Sequence, residues 1–151
     1  MQRPVDVAGE PWTLPMEEQL GRALELLSTS KQHARLPMIY AERVLYESIQ
    51  QRNIKFYYEN SVLFGIALWA FVDAATAERL SRNPGSLLAP PEWNEGETLW
   101  MVDLVAPHGR VADIWRDLRN VVFAGEAKVQ YLRMRRAGFI HKKFSRPGVL
   151  R

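Results

Sequence analysis

The sequence predicts an α+β fold, a sheet with helices packed on it, and three observations predict it. Apolar residues recur at helical spacing over Met16 to Leu27 and again after Pro37. β-Branched and aromatic residues fill Ile54 to Tyr58 and Ser61 to Val72, with Glu59-Asn60 between them. Leu99 to Val105 then forms a further apolar strand, bounded by a proline-rich stretch and by Pro107 and Gly109.

Each element has a local reason. Met16 to Leu27 places Leu20, Ala23, Leu24 and Leu27 at helical spacing, with Pro15 at a first-turn position. The polar stretch from Ser28 to His33 ends that helix. A second helix starts near Pro37 and runs to about Gln51, turning Ile39, Val44, Leu45 and Ile49 inward. The two strands that follow read as an antiparallel hairpin. Ala74 to Leu80 is a short helix, and Asn83 to Glu97, with three prolines and two glycines, is a surface loop. After the strand Leu99 to Val105, the spacing of Val111, Ile114, Trp115, Leu118 and Val122 gives an amphipathic helix. Val129 to Met134 and Gly138 to Phe144 close the sheet.

At 151 residues the chain is one domain of ordinary size, and a domain of this length buries roughly 68–70% of its unfolded surface. The reading divides it into an N-terminal extension (1–15), a domain (16–145) and a tail (146–151). The absence of cysteine excludes a thiol nucleophile, thiolate metal sites and disulfides. Residues 1–10 carry Asp6 and Glu10 and lack a basic-then-apolar leader pattern. The longest apolar run, Ser61 to Val72, is far short of the ~20 residues of a membrane span. The expectation is a soluble cytoplasmic protein without stable membrane insertion.

The net charge of +3 is unevenly spread. Residues 1–127 carry 12 basic and 17 acidic side chains, whereas residues 128–151 carry eight basic ones and no acid. That block is either a solvated basic tail or a surface that attracts an acidic partner.

Several chemistries lose support at once. Three histidines without an HExxH pair argue against metal, and no GxSxG elbow or Walker-type glycine loop occurs. The turn Ala106-Pro107-His108-Gly109-Arg110 is too poor in glycine to cradle a diphosphate on backbone amides. His108 and His141 read as turn and tail residues. Asp103 is anomalous, because strand alternation puts it on one face with Leu99, Met101 and Val105, while Trp100, Val102 and Leu104 fill the other. A carboxylate between two apolar faces needs a partner, or desolvation costs several kcal/mol. It is either a structural cap of the following turn or a functional group. His33, in a polar loop three residues after Ser30, is either a surface histidine or a catalyst.

At this point the residues resemble a known family. Gly96 to Gly109, with its WxxDxxAP core at Trp100, Asp103, Ala106 and Pro107, is similar to the signature of the toxin-activating lysine acyltransferases, the hemolysin-activating group. Leu20-Gly21, Ser30, His33 and Pro37 resemble that family's LG…SxxH…P stretch, and Gly65 to Ala70 its strand ending in SWA. Arg119, Phe123 and Arg133 fall where the family has a basic helix and a following strand, so the similarity spans about residues 16–135. Leu104 and His108 depart from the usual aromatics, and Arg43 lies near where relatives often carry asparagine. These departures bear on acyl chain length and toxin partner more than on the reaction.

The resemblance implies a GNAT-like fold with a central, mostly antiparallel sheet. It implies transfer of a fatty acyl chain from acyl-acyl carrier protein, as co-substrate rather than bound cofactor, to a lysine ε-amine of an RTX-type protoxin. His33 and Asp103 become the catalytic pair, with His33 as base and Asp103 orienting the imidazole or the amine. Ser30 becomes a supporting hydrogen-bonding residue. Arg119, Arg133, Arg135 and Arg136 become the surface for the acidic carrier protein. No metal and no nucleic acid is expected, and a homodimer is left open. The rival readings are a CoA-dependent N-acyltransferase of related fold and a basic, non-enzymatic binding module.

Overall fold

The computed structural model describes residues 14–135 and 138–145. Helix α1 (Met16–Ser28) carries Glu17 and Glu18 in its first turn, where the helix dipole favours acids, and buries Ala23, Leu26 and Leu27. Leu24, expected inside, is 41% exposed, and Leu26 takes its place. The second predicted helix forms, but in three pieces: α2 (Met38–Tyr40), a π-helical turn (Ala41–Tyr46) and α3 (Glu47–Gln50). The π turn shifts the facing, so Val44, Leu45 and Ile49 are buried while Ile39 is exposed, against expectation.

Strands β1 (Ile54–Glu59) and β2 (Val62–Val72) form the predicted hairpin. Its turn falls at Asn60-Ser61, both at positive φ, one residue beyond the expected Glu59-Asn60. Helix α4 (Ala74–Arg82) starts where the Asp73 carboxylate accepts from the Thr76 amide at 2.7 Å. β3 (Thr98–Val105), α5 (Val111–Asp117) with a π turn (Leu118–Val122), β4 (Lys128–Arg135) and β5 (Gly138–Ser145) complete the chain.

The five strands lie in sequence order. All neighbours are antiparallel except β3 and β4, which run parallel with Trp100 opposite Gln130, joined by the crossover through α5. The mostly antiparallel, GNAT-like α+β arrangement is the one expected. One sheet face packs Ile54, Ile66, Leu68 and Trp100 against α1 and the π turn, and the other packs Tyr57, Ala67, Leu99 and Met101 against Ile114 and Leu118. Gly65 permits the second contact, since a Cβ there would lie 2.5 Å from Ile114 Cδ1.

The stretch Asn83 to Glu97 is not merely a surface loop. It contains a 3-10 turn (Pro90–Trp93) whose Trp93 is fully buried, and the amides of Glu95 and Gly96 donate to Phe71 O. Tryptophan is too large an apolar group to leave in water, and here it plugs the end of the core.

The register of β3 departs from simple alternation. Asp103 pairs with Leu68 and Met101 with Trp69, so Val102 is an extra residue, a β-bulge. Asp103 and Val105 therefore share the face of Trp100, opposite Leu99 and Met101, instead of lying with them.

Candidate active site

Three elements converge on that face. The chain leaves α1 in a tight turn in which the His33 and Ala34 amides donate to Ser30 O at 3.1 and 2.8 Å. This folds Ser30 under the His33 ring, so that Ser30 Oγ lies 2.8 Å from His33 Nδ1. On the far side of the ring, His33 Nε2 lies 2.9 Å from Asp103 Oδ2, presented by the bulge in β3. From α2, the Tyr40 hydroxyl donates to the same Oδ2, and the Leu104 amide donates to Oδ1 at 2.8 Å.

The result is a continuous line, Ser30–His33–Asp103–Tyr40. His33 is not the surface residue that a polar loop suggests, since its side chain is 5% exposed against 19% for Asp103. Asp103 is thus the more open of the two. A carboxylate only accepts, so Tyr40 must donate, and His33 contributes a donor whenever Nε2 carries the proton. The serine hydroxyl donates or accepts at Nδ1, which lets the ring hold its proton on either nitrogen. Burial, followed by the charge and hydrogen bond of Asp103, holds the Tyr40 phenol well above its usual range.

The line opens on a cavity of about 1060 Å³, at the upper end of small-molecule sites. Its walls include Val44, Leu88, Trp93 and Trp100 on one side of the sheet and Leu104 and Trp115 on the other, so it passes between the parallel strands β3 and β4. An apolar chamber with one carboxylate–imidazole pair at its wall can hold a hydrocarbon tail and move a proton.

The turn before α5 has a different character. Arg110, at φ 68°, caps the helix and binds Glu59 at 2.5 Å and Asp113 at 3.0 Å, with its guanidinium 4.0 Å from the Phe64 ring centroid. That arginine holds the Asp113 carboxyl below the usual carboxylate range. Asp113 also accepts from Arg116 at 3.2 Å, so the charges at this helix start are paired.

His33, Asp103 and Ser30, singled out in the sequence, are thus brought together. Of the arginines expected to form the carrier-protein surface, Arg119, Arg133 and Arg135 fall in described elements. Arg119 is exposed in the π turn after α5, 5.3 Å from the Phe144 ring centroid on the opposite face of the sheet. Arg133 and Arg135 lie in β4, their backbones opposite Ile140 and Gly138, and Arg136 lies outside the described residues. His108 is exposed, whereas His141 is half-buried, 5.5 Å from Trp100 and 2.9 Å from Gln130 Oε1, and burial depresses its pKa. No cluster of three metal-ligating side chains occurs among the described residues. Sequence reasoning missed Tyr40, although its spacing from Val44 places both on one helix face.

Comparison with known proteins fits this geometry. The sequence model of the RTX toxin acyltransferase family matches residues 13–146. The chain belongs to that family. This acyltransferase is also similar to the uncharacterised protein sll0720 of Synechocystis sp., with 28% identity over 121 residues, covering 79% of this chain and 81% of that protein. Family membership makes the reaction class acyl transfer in RTX toxin activation, and it places Ser30, His33 and Asp103 inside the matched region. Among the described residues no helix is long and apolar enough to cross a membrane.

Proposed function

We propose that this acyltransferase moves a fatty acyl chain from acyl-acyl carrier protein to the ε-amine of an internal lysine in an RTX-type protoxin, in the bacterial cytoplasm. The observation that carries the reading is the Ser30–His33–Asp103 line opening on an apolar cavity of about 1060 Å³. Lysine at neutral pH is an ammonium with an ordinary pKa of about 10.4, and only the free amine attacks a thioester. The ammonium pairs with Asp103, the most open member of the line. His33, with its own proton on Nδ1 toward Ser30, takes the amine's proton at Nε2. The resulting imidazolium is held between Asp103 and Ser30. The amine nitrogen bonds to the thioester carbonyl carbon as the C–S bond breaks. Of the two protons the ammonium sheds on becoming an amide, His33 passes one to the departing thiolate and the other is released to solvent. General-base help of this kind contributes roughly 10²–10⁴-fold.

The acyl tail occupies the chamber lined by Val44, Leu88, Trp93 and Trp100. Direct transfer suits Ser30 better than a covalent acyl-serine, because the serine is buried behind the imidazole. Support for a carrier-protein donor over CoA comes from the turn Ala106 to Arg110, whose single glycine offers no glycine-rich cradle for a diphosphate. The basic segment 128–151 complements an acidic carrier protein. The deciding experiment is mass spectrometry of an RTX protein co-expressed with this enzyme. A fatty-acyl adduct on lysine, absent with the Asp103→Asn variant, is expected; an unmodified protein in both preparations sinks the reading.

A further inference from the structure

Two irregularities, each an extra residue in a regular element, meet at one carboxylate. Val102 bulges out of β3 and brings Asp103 onto the His33 face. The π turn Ala41–Tyr46 begins directly after Tyr40, and π turns concentrate at functional sites. The outcome is that the Tyr40 hydroxyl and His33 Nε2 converge on the same oxygen of Asp103. The Tyr40 ring is already packed against the core, so its hydroxyl adds a directed bond where packing alone would accept phenylalanine.

We propose that Tyr40 is a positioning residue, whose hydroxyl keeps the Asp103 carboxylate aligned with His33 whichever imidazole nitrogen carries the proton. His33 donates to Asp103 only while its proton is on Nε2. When Nε2 is the acceptor for the amine's proton, that bond is gone. Asp103 then keeps the Leu104 amide at Oδ1 and Tyr40 at Oδ2. The Leu104 amide comes from the same strand, one residue away, so it does not tie the carboxylate to the helical side of the site. Tyr40, from α2, does. The phenol stays a donor through the cycle, because burial disfavours its ionised form.

The inference rests on the acyl-transfer reading, and Tyr40→Phe tests it apart from that reading. Among the described residues three groups face the His33 ring: Ser30 from its own turn, Asp103 from β3 and Tyr40 from α2. Removing the phenol leaves the charge of Asp103 less neutralised, which favours the imidazolium. In substrate-free protein, the nuclear magnetic resonance titration of His33 should move to higher pH, with His108 and His141 unmoved as internal references. In turnover, kcat should fall by up to about 100-fold, as for a misplaced catalytic group, with the acid limb of its pH profile moved the same way and the donor KM unchanged. An unmoved His33 titration, or an unchanged kcat in a variant with wild-type circular dichroism, overturns the proposal. If the wild type itself transfers no acyl group, the function is wrong, while the titration still decides the link.

Discussion

Asp103 stands opposite Leu68, one residue out of step with the neighbouring pair Met101 and Trp69. That offset aims the carboxylate at His33 instead of into the apolar packing beneath α5. A bulge breaks the ladder locally, and here what it secures is a line of four hydrogen-bonded side chains from three elements.

Replacing His33 by alanine should abolish transfer and also lower stability. The ring is buried between Ser30 and Asp103; Asp103 keeps Tyr40 and the Leu104 amide, but the buried Ser30 hydroxyl loses its partner, at about 1–3 kcal/mol for an unsatisfied buried group. Chemical denaturation alongside single-turnover assays separates the two losses. Near-wild-type turnover at neutral pH would show that another group is the base.

Much of this was legible in the sequence because the elements are long and their apolar spacing is clear. Helix α1, the hairpin, β3 and the later strands follow the periodicity of their residues. What escaped was insertion. Alternation along Leu99 to Val105 gives no sign that Val102 is extra, since valine suits either face, and so Asp103 was placed with Leu99 and Met101. The π turn after Tyr40 is equally silent and leaves Ile39 in solvent. Trp93 was hidden by prolines that mark turns without telling whether a turn carries a core residue. His33 and Asp103 were found as a pair through a family pattern; their 2.9 Å contact joins residues 70 positions apart, which no local spacing reveals.

Asp103→Asn and Ser30→Ala should differ in degree. The amide keeps the volume of Asp103 but loses its charge and presents an NH₂ group to existing donors, so the rate should fall roughly 10²–10⁴-fold. Ser30→Ala removes one partner of Nδ1 and should cost about tenfold, near the ~1 kcal/mol of an ordinary hydrogen bond. Intact-protein mass spectrometry during turnover should reveal no acyl-enzyme. An acylated Ser30, together with complete inactivity of the alanine variant, would replace direct transfer by a covalent route.

Leu88 sits in the chamber wall and is 4% exposed. Leu88→Trp fills part of that volume, at a folding cost of about 1–3 kcal/mol for overpacking. The acyl groups recovered on the acceptor lysine should shift to shorter chains, while hydroxylamine-sensitive loading of the carrier protein is untouched. An unchanged chain distribution would place the acyl tail outside this chamber.

The last prediction concerns the basic hairpin. Residues 128–151 carry eight basic side chains and no acid, and within the described part Lys142 and Lys143 lie in β5, Lys143 exposed. Complementary charge chiefly raises association rates, and salt screens it over a Debye length of about 10 Å at 0.1 M. The double variant Lys142→Glu, Lys143→Glu should therefore raise the KM for acyl carrier protein at low salt, with kcat at saturating donor nearly unchanged. Arg119→Glu is the informative comparison. Arg119 lies beside Phe144 of the same strand, so it should weaken the donor in parallel if the hairpin and the end of α5 form one docking face. Measuring kcat/KM across a salt series decides between the two roles of the block. A steep fall with salt for the wild type that flattens in the variants supports docking, whereas equal, flat profiles leave the basic residues as solvated charge and put the carrier protein elsewhere.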